Sequence, residues 1–217
     1  MKGIFFTVFI FLTHQLMATS INFSSTYVDR GETLNNGLVM QPNIEENAHG
    51  IDLGVWGNID IQNKNKERLS EIELYINKDI LLKSDLNVSL GYAEILLPNE
   101  SDAEDRESEV SLTATKQFSN YHLSASVFSD IYTTSEPNYY EGEINSKFQI
   151  VGLDFDYGAK LGYFVSSKSG SSGFGYSSYS LSYNCNSSTT SIHIINEIDN
   201  KVCNVETEFV ISMNYDF

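Results

Sequence analysis

A strict alternation of apolar and polar residues constrains this chain more than any other feature. From residue 153 to 165 the odd positions are Leu, Phe, Tyr, Ala, Leu, Tyr and Val, whereas the even positions to 162 are Asp, Asp, Gly, Lys and Gly. Residues 51–61 and 121–131 follow the same pattern. Successive side chains of a β-strand point to opposite faces, so a period of two predicts strands with one apolar and one polar face.

Twelve stretches carry this pattern, and their length and spacing favour a membrane barrel. Many reach the ~9–11 residues that a tilted strand needs to cross a bilayer, whereas soluble strands average ~5–6. The strands are expected near 21–29, 38–45, 51–61, 69–78, 84–95, 107–117, 120–132, 139–149, 152–165, 174–184, 189–196 and 204–217. The longer connections are expected to include 30–37, 62–68, 97–106, 133–138, 166–173 and 197–203, with tighter turns between them.

Long loops that alternate with short turns are typical of outer-membrane barrels, and an even strand number closes an antiparallel barrel. The sequence therefore predicts an all-β fold, an antiparallel transmembrane β-barrel of about twelve strands. A soluble, secreted β-sandwich would also alternate, and it is the alternative that the pattern alone leaves open.

The first twenty residues have the order of a secretory signal peptide. Lys2 precedes an apolar run over residues 3–12, and small residues follow at 18–20. That run is about half of the ~20 residues that a spanning helix needs. We expect residues 1–20 to be a secretory signal peptide cleaved after Ala18 or Ser20, and residues 21–217 to form one outer-membrane β-barrel domain.

The end of the chain is an amphipathic strand that finishes in an aromatic residue. Its apolar face carries Phe209, Ile211, Met213, Tyr215 and Phe217. This pattern resembles the C-terminal assembly signal of bacterial outer-membrane proteins. Together with the signal peptide it predicts location in a bacterial outer membrane, with outer-membrane lipid and the barrel-assembly machinery as partners.

Charge and cysteine content exclude several classes of function. The formal net charge is −16, from 13 Lys plus Arg against 29 Asp plus Glu, which argues against nucleic acid because phosphate binding needs clustered cations. The two cysteines lack zinc-site spacing. Strand geometry separates Cys185 from Cys203 by about 30 Å, well beyond the ~7 Å Cα limit for a disulfide. We expect no bond between them, no metal and no cofactor.

Two stretches near the start resemble the TorF-type porin family. The motif residues are Tyr27, Arg30 and Gly31 in a Y-x-x-R-G turn, the step Gln41-Pro42, and residues 55–60, which read V-W-G-N-I-D. The resemblance in specific residues covers about residues 25–60, and the remainder matches in length, hairpin style and aromatic ending. It implies an outer-membrane barrel more firmly than it implies a substrate.

Most charged residues on the strands fall opposite the apolar set, and in a barrel that face lines the lumen. The candidate pore-lining residues are Arg30, Asp52, Asp60, Glu71, Glu73, Glu143, Lys147, Asp154, Asp156, Lys160 and Glu208. Carboxylates around a lumen raise the local cation concentration. The sequence thus predicts passive diffusion of small polar solutes or cations, with weak cation selectivity. The alternative is a filled interior in which Arg30, Lys147 and Lys160 pair with these acids, in a non-conducting barrel with a structural or surface-binding role.

Two further groups of residues have the chemistry of possible functional sites. Asp102, Glu104, Asp105, Glu107 and Glu109 are expected in a solvated loop, because they lack the spacing of a calcium loop. His122 and Ser124 share one strand face, as a general base and its nucleophile could. That face is expected to point into the lumen, whereas a lipid hydrolase would need the opposite one. We therefore expect no catalytic residue.

Overall fold

The fold consists of fourteen strands in the part of the chain that the structure describes. This computed structural model describes residues 18–62, 68–83, 85–98, 106–131, 138–165, 171–200, 202 and 207–217. The strands are β1 (Ala18–Ser24), β2 (Tyr27–Asp29), β3 (Glu32–Asn35), β4 (Val39–Ala48), β5 (Ile51–Asp60), β6 (Leu69–Lys83), β7 (Leu86–Leu96), β8 (Arg106–Gln117), β9 (Tyr121–Asp130), β10 (Asn138–Ile150), β11 (Leu153–Val165), β12 (Gly173–Cys185), β13 (Ser188–Glu197) and β14 (Glu208–Asp216).

Twelve of these strands close into one antiparallel barrel. The order around the ring is β1, then β14 back through β4, and β1 pairs with both β14 and β4. The predicted fold class is confirmed, and a two-sheet sandwich is excluded because the ring has no open edge. Within the described residues no helix has the length and apolar character needed to cross a membrane.

The connections differ in length at the two ends of the barrel. At one end, here the turn end, β4–β5, β6–β7, β8–β9, β10–β11 and β12–β13 are joined by two or three residues. The longer connections 61–68, 97–105, 131–137, 166–172 and 198–207 are at the opposite end, here the loop end. β1 begins and β14 finishes at the turn end, where Ser20 pairs with Asp216. The predicted alternation of long and short connections is therefore present.

The outer face of the wall carries exposed apolar side chains. On β14 Phe209 is 67% exposed and Ile211 58% exposed, and the neighbouring strands contribute Leu181 and Ile192 to the same face. A belt of this kind needs an apolar solvent, because exposed apolar surface in water is costly. The buried apolar cluster lies inside the barrel instead, around Tyr139 and Tyr176.

The chain between β1 and β4 differs from expectation. The first strand was predicted over 21–29 with a loop after it, but β1 ends at Ser24 and residues 27–35 form a second, two-stranded sheet, the β2–β3 hairpin. Arg30 has φ 45° and Gly31 has φ 81° at its tip. Two positive φ values in a two-residue turn match the twist of a hairpin, so this segment pairs with itself instead of extending β1.

Candidate functional site: the lumen and its inward hairpin

The β2–β3 hairpin lies inside the barrel. Its residues contact Glu71 on β6, Glu109 on β8, Tyr176 on β12 and Glu208 on β14. These strands are distributed around the whole ring, and a segment can reach all of them only from within. The hairpin enters from the loop end, since β1 ends there and β4 begins there. It therefore crosses the loop-end half of the lumen.

The tip of the hairpin is held by Arg30. Its guanidinium donates a hydrogen bond to the carboxylate of Glu109 and forms an ion pair with it. It also lies over two ring faces, 4.9 Å from the ring centroid of Phe128 and 5.0 Å from that of Tyr139. Burial alone would lower the pKa of Arg30, but the carboxylates of Asp29 and Glu109 raise it overall. The guanidinium therefore stays charged inside the lumen.

Tyr27 anchors the first strand of the hairpin to the opposite part of the wall. Its hydroxyl donates a hydrogen bond to Glu71 Oε2 at 3.1 Å, and its ring centroid lies 5.6 Å from that of Trp56. Burial and the surrounding carboxylates raise the pKa of Tyr27 above its ordinary value. The phenol therefore remains a neutral donor, as its bond to Glu71 requires.

Close packing at Gly31 explains why the tip carries glycine. A Cβ built at Gly31 would lie 2.7 Å from ring atoms of Tyr176, well inside van der Waals contact. Tyr176 is itself buried and packs with Tyr139, Ile195 and Val210, and Val28 of the hairpin covers this cluster. Glycine is required both by the positive φ and by this approach.

The returning strand of the hairpin is bonded through a chain of polar side chains. Thr33 Oγ1 donates to Glu208 Oε1 at 3.0 Å. Asn58 Nδ2 donates to Asn35 Oδ1 at 2.6 Å, and Asn58 Oδ1 accepts from Gln41 Nε2 at 3.0 Å. Asn58 is fully buried, so these bonds satisfy an amide that would otherwise be costly to bury.

The residues on which the family resemblance depends meet at this hairpin. Tyr27, Arg30 and Gly31 make the contacts of its first strand and tip, Asn58 bonds Asn35 of its return strand, and Gln41 in turn bonds Asn58. The Y-x-x-R-G, Q-P and W-G-N-x-D segments are thus parts of one docking arrangement. Sequence reasoning had identified the motif without its structural role.

The predicted pore-lining residues fall into groups by their contacts. Ten occupy register positions on the wall face that the hairpin touches, and Arg30 belongs to the hairpin itself. Glu71 and Glu208 bond the hairpin, while Glu73 lies within electrostatic range of Arg30. Lys160 forms an ion pair with Glu141 at 3.0 Å, and Lys147 borders a recess at the turn end. The remaining five carboxylates accept hydrogen bonds: Glu143 from Asn145 at 2.7 Å, Asp52 from Asn47 at 2.5 Å, Asp154 from Gln149 at 2.5 Å, Asp156 from Asn184 at 2.9 Å and Asp60 from the backbone N–H of Gln62 at 2.9 Å.

Sequence reasoning missed the main partners of Arg30. Glu107 and Glu109 were included both in the strand expected over 107–117 and in the acidic loop, and both belong to β8, where Glu109 faces the hairpin. The strand expectation is confirmed and the loop expectation was wrong for these two, while Asp102, Glu104 and Asp105 lie outside the described residues. The alternation of Glu107 and Glu109 with Ser108 and Val110 was the available signal, because it continues the period of β8.

Two other predicted features have defined positions. Cys185 is an exposed free cysteine at the end of β12, and Cys203 lies outside the described residues. His122 and Ser124 pair with Asn145 and Glu143 on the inward face near the turn end. In the described part of the chain no three Asp, Glu, His or Cys side chains form a group suited to a metal ion.

The turn-end half of the lumen carries small polar residues between larger polar and charged ones. The small residues at inward register positions are Ser89, Gly91, Thr115, Ser124, Gly158, Ser180, Ser182 and Ser191, and the larger ones include His122, Asn145, Lys147, Asp154 and Asp156. A cavity of about 220 Å³ lies between the hairpin and the wall, bordered by Gln41, Trp56 and His193. The lumen is thus occupied by the hairpin at the loop end, and at the turn end it is bordered by a mixture of short and charged side chains.

Comparisons with known proteins agree with this architecture. No family model matches the sequence, and a search of curated proteins found no match. Among solved structures, the KdgM porin aligns at TM-score 0.61 with 11% identity, covering 93% of this chain and 99% of that one. The NanC porin aligns at 0.57 with 10% identity over 92% and 99%.

A third similar structure is the COG4313 outer membrane channel from Pseudomonas putida F1, at TM-score 0.53 with 6% identity, over 93% and 95% of the two chains. The chain has the fold of porin-like outer-membrane barrels. At these identities the likeness concerns the fold alone. Membership of the TorF-type family stays a prediction.

Proposed function

We propose that this protein is an outer-membrane channel for small polar solutes and cations, narrowed at its outer end by the β2–β3 hairpin. The observation that carries the proposal is a closed barrel with an apolar exterior and a polar, acidic lumen. An exterior of this kind is compatible with lipid, and the closed ladder satisfies every strand edge. The loop end faces the exterior of the cell and the turn end faces the periplasm, as in barrels of this type.

The size of the barrel limits what can pass. Twelve strands spaced about 4.8 Å apart and tilted by about 40° give a backbone radius of roughly 12 Å. Wall side chains and a hairpin roughly 10 Å wide occupy most of that cross-section at the loop end. The docked hairpin therefore restricts passage to ions and small solutes.

Lumen charge sets the expected selectivity. Asp29, Glu71, Glu73 and Glu109 lie close enough to interact electrostatically, and Arg30 is the cation among them. Carboxylates that outnumber cations at a constriction attract cations and oppose anions. We therefore propose weak cation selectivity, arising at the level of the hairpin.

Reversal potentials in a salt gradient test this function. Mature protein is refolded in detergent, checked for heat-modifiable gel mobility, and inserted into a planar bilayer with unequal KCl on the two sides. Cation preference is the expected sign, and the double variant Glu71→Gln with Glu73→Gln should reduce it. Glu46→Gln is the matched control, because Glu46 pairs with Leu53 on the outward face of β4 and β5 and should leave the potential unchanged. Anion preference would contradict the acidic-lumen assignment.

A second candidate is a barrel that conducts nothing while the hairpin is docked. The observation that favours it is the number of strands that the hairpin contacts inside the lumen. In that case the wild-type barrel inserts silently, and its role is structural or depends on its outer loops. Silent wild-type protein combined with a conducting hairpin-deletion variant would select this candidate.

A further inference from the structure

The guanidinium of Arg30 contacts three side chains of the barrel wall, while Asp29 of the hairpin adds a further negative charge. The wall residues are Glu109 on β8, Phe128 on β9 and Tyr139 on β10. These strands are neighbours in the ring, and Phe128 pairs directly with Tyr139 in the register. We call these three side chains the cation cage. Because all three belong to the wall, the cage persists when its occupant leaves.

The cage is rigidly held by its surroundings. Tyr139 is only 1% exposed, and its hydroxyl bonds to Glu141 Oε2 at 2.8 Å and to the hydroxyl of Tyr176 at 2.6 Å. Its ring centroid lies 5.6 Å from that of Phe128 and 5.0 Å from that of Phe164. These contacts fix the ring faces in place. A site held in its binding geometry before the ligand arrives binds at a lower entropic cost.

A carboxylate beside two aromatic faces has a defined ligand chemistry. Ring faces attract cations through their quadrupole, and they do so best when the cation is weakly hydrated and planar or methylated. Guanidinium and quaternary ammonium groups meet this description, whereas sodium and potassium keep their water. The site is therefore selective for organic cations, beyond the general attraction of an acidic lumen.

We propose that the cation cage is a binding site for solutes that carry a guanidinium or quaternary ammonium group, and that Arg30 is its built-in occupant. An arriving organic cation competes with Arg30 for Glu109 and the two rings. When it replaces Arg30, the hairpin tip loses its ion pair and both ring contacts. Coupling of this exchange to passage rests on the channel function proposed above, whereas binding at the cage does not.

The remaining hairpin contacts make release physically reasonable. The apolar contacts of the hairpin include Val28 on the Tyr139 and Tyr176 cluster and the ring of Tyr27 beside Trp56, and its other described contacts include polar bonds such as those of Tyr27 and Thr33. An isolated two-stranded hairpin is marginally stable in water. Loss of the tip contacts therefore shifts the hairpin toward an undocked state.

Ligand-observed NMR titrations of refolded protein test the cage. The probes are methylguanidinium and tetramethylammonium, with sodium at matched ionic strength as the reference. Arg30→Ala empties the cage and should bind either probe about tenfold more tightly than wild type, because no occupant has to be displaced. Adding Glu109→Gln to Arg30→Ala should abolish that gain. Lys116→Ala is the matched control, since Lys116 pairs with Asp85 at the β6–β7 turn, away from the cage, and should behave as wild type.

The fluorescence emission of Trp56 reports whether the hairpin is docked, independently of the binding titration. It is the single tryptophan of the chain and it contacts Tyr27 of the hairpin. Methylguanidinium should move the wild-type spectrum toward that of Arg30→Ala, while sodium at the same concentration should not. Heat-modifiable mobility of every variant shows that its barrel is folded.

Three results would overturn the proposal: equal affinity of wild type and Arg30→Ala, retained affinity after Glu109→Gln, or equal competition by sodium. The bilayer measurement remains independent of these titrations. Binding of the probes without conductance would support the cation cage and contradict the channel function. Conductance without binding would support the channel function and contradict the cation cage.

Discussion

The two halves of the lumen share one wall but have different interiors. At the loop end the inward positions carry large or charged side chains such as Glu109, Phe128, Tyr139 and Tyr176, and a hairpin fills the space between them. At the turn end the same inward face mixes Ser, Thr and Gly with larger polar residues such as His122, Lys147 and Asp156. The alternation that builds the wall is the same in both halves, so the wall does not determine what the interior does. The contacts between the inward side chains and the hairpin determine it, and the described contacts lie in the loop-end half.

The difference also separates two kinds of glycine. Gly31 and Gly50 both have positive φ, 81° and 76°. A Cβ at Gly31 would collide with Tyr176, whereas a Cβ at Gly50 would meet nothing within 4 Å. Gly31 is therefore required by its packing against Tyr176 as well as by its backbone conformation, whereas Gly50 is required only by the backbone conformation of its turn.

Replacing Gly31 by alanine is expected to have the largest effect on the filled half. The change costs about 1–2 kcal/mol for the left-handed backbone, and the collision with buried Tyr176 adds about 1–3 kcal/mol of overpacking. The hairpin tip should leave its site, raising single-channel conductance and changing the emission of Trp56. Gly50→Ala is the control, because it carries the backbone strain alone. Equal conductance in both variants would show that the contact with Tyr176 does not hold the hairpin.

A smaller effect is expected at the base of the hairpin. Asn58→Ala removes the partner of Gln41 and of Asn35 and leaves polar groups unsatisfied in a buried site. The expected loss is about 1–3 kcal/mol in the free energy of unfolding, measured by the denaturant dependence of heat-modifiable mobility. Asn47→Ala removes an exposed bond at the turn end and should change little. A loss as large at Asn47 would mean that burial at Asn58 is not the cause.

The smallest effect is expected outside the lumen, at the β6–β7 turn. The hydrogen bond from Lys116 lowers the pKa of Asp85 below its ordinary value of 3.8. Because the folded pKa is depressed, the contribution is present above 3.8 and is lost as pH falls through the folded pKa. The melting temperatures of wild type and Lys116→Gln should therefore differ slightly at neutral pH and converge in acid. If the difference in melting temperature persisted in strong acid, the Lys116–Asp85 pair would not be its cause.

Most of the wall was predictable because a period of two is visible in any single strand. The stretches predicted at 51–61, 152–165 and 189–196 agree with β5, β11 and β13 to within one or two residues. The strand predicted over 69–78 stops five residues before the end of β6 at Lys83, and the first strand differs most. Residues 21–29 are continuous in β character, and nothing in the alternation shows that β1 ends at Ser24 and the chain turns inward.

The interior was less predictable because its contacts join residues far apart in sequence. Arg30 and Glu109 are 79 positions apart, and Thr33 and Glu208 are 175 apart. The alternation along its strand predicts that Glu71 faces the lumen. Its hydrogen bond with Tyr27 depends on a hairpin that the alternation does not reveal. The alternative of a filled interior predicts that Arg30, Lys147 and Lys160 pair with acids. Arg30 and Lys160 do pair, through Glu109 and Glu141.

The measurement that tests the central claim most directly is single-channel conductance with and without the hairpin. Residues 25–38 are replaced by a short Asn-Gly turn, and the variant is compared with wild type after both show heat-modifiable mobility. Since the hairpin crosses the loop-end half of the lumen, its removal should raise conductance several-fold and leave the barrel folded. Unchanged conductance in a folded variant would contradict the claim that this hairpin narrows the channel.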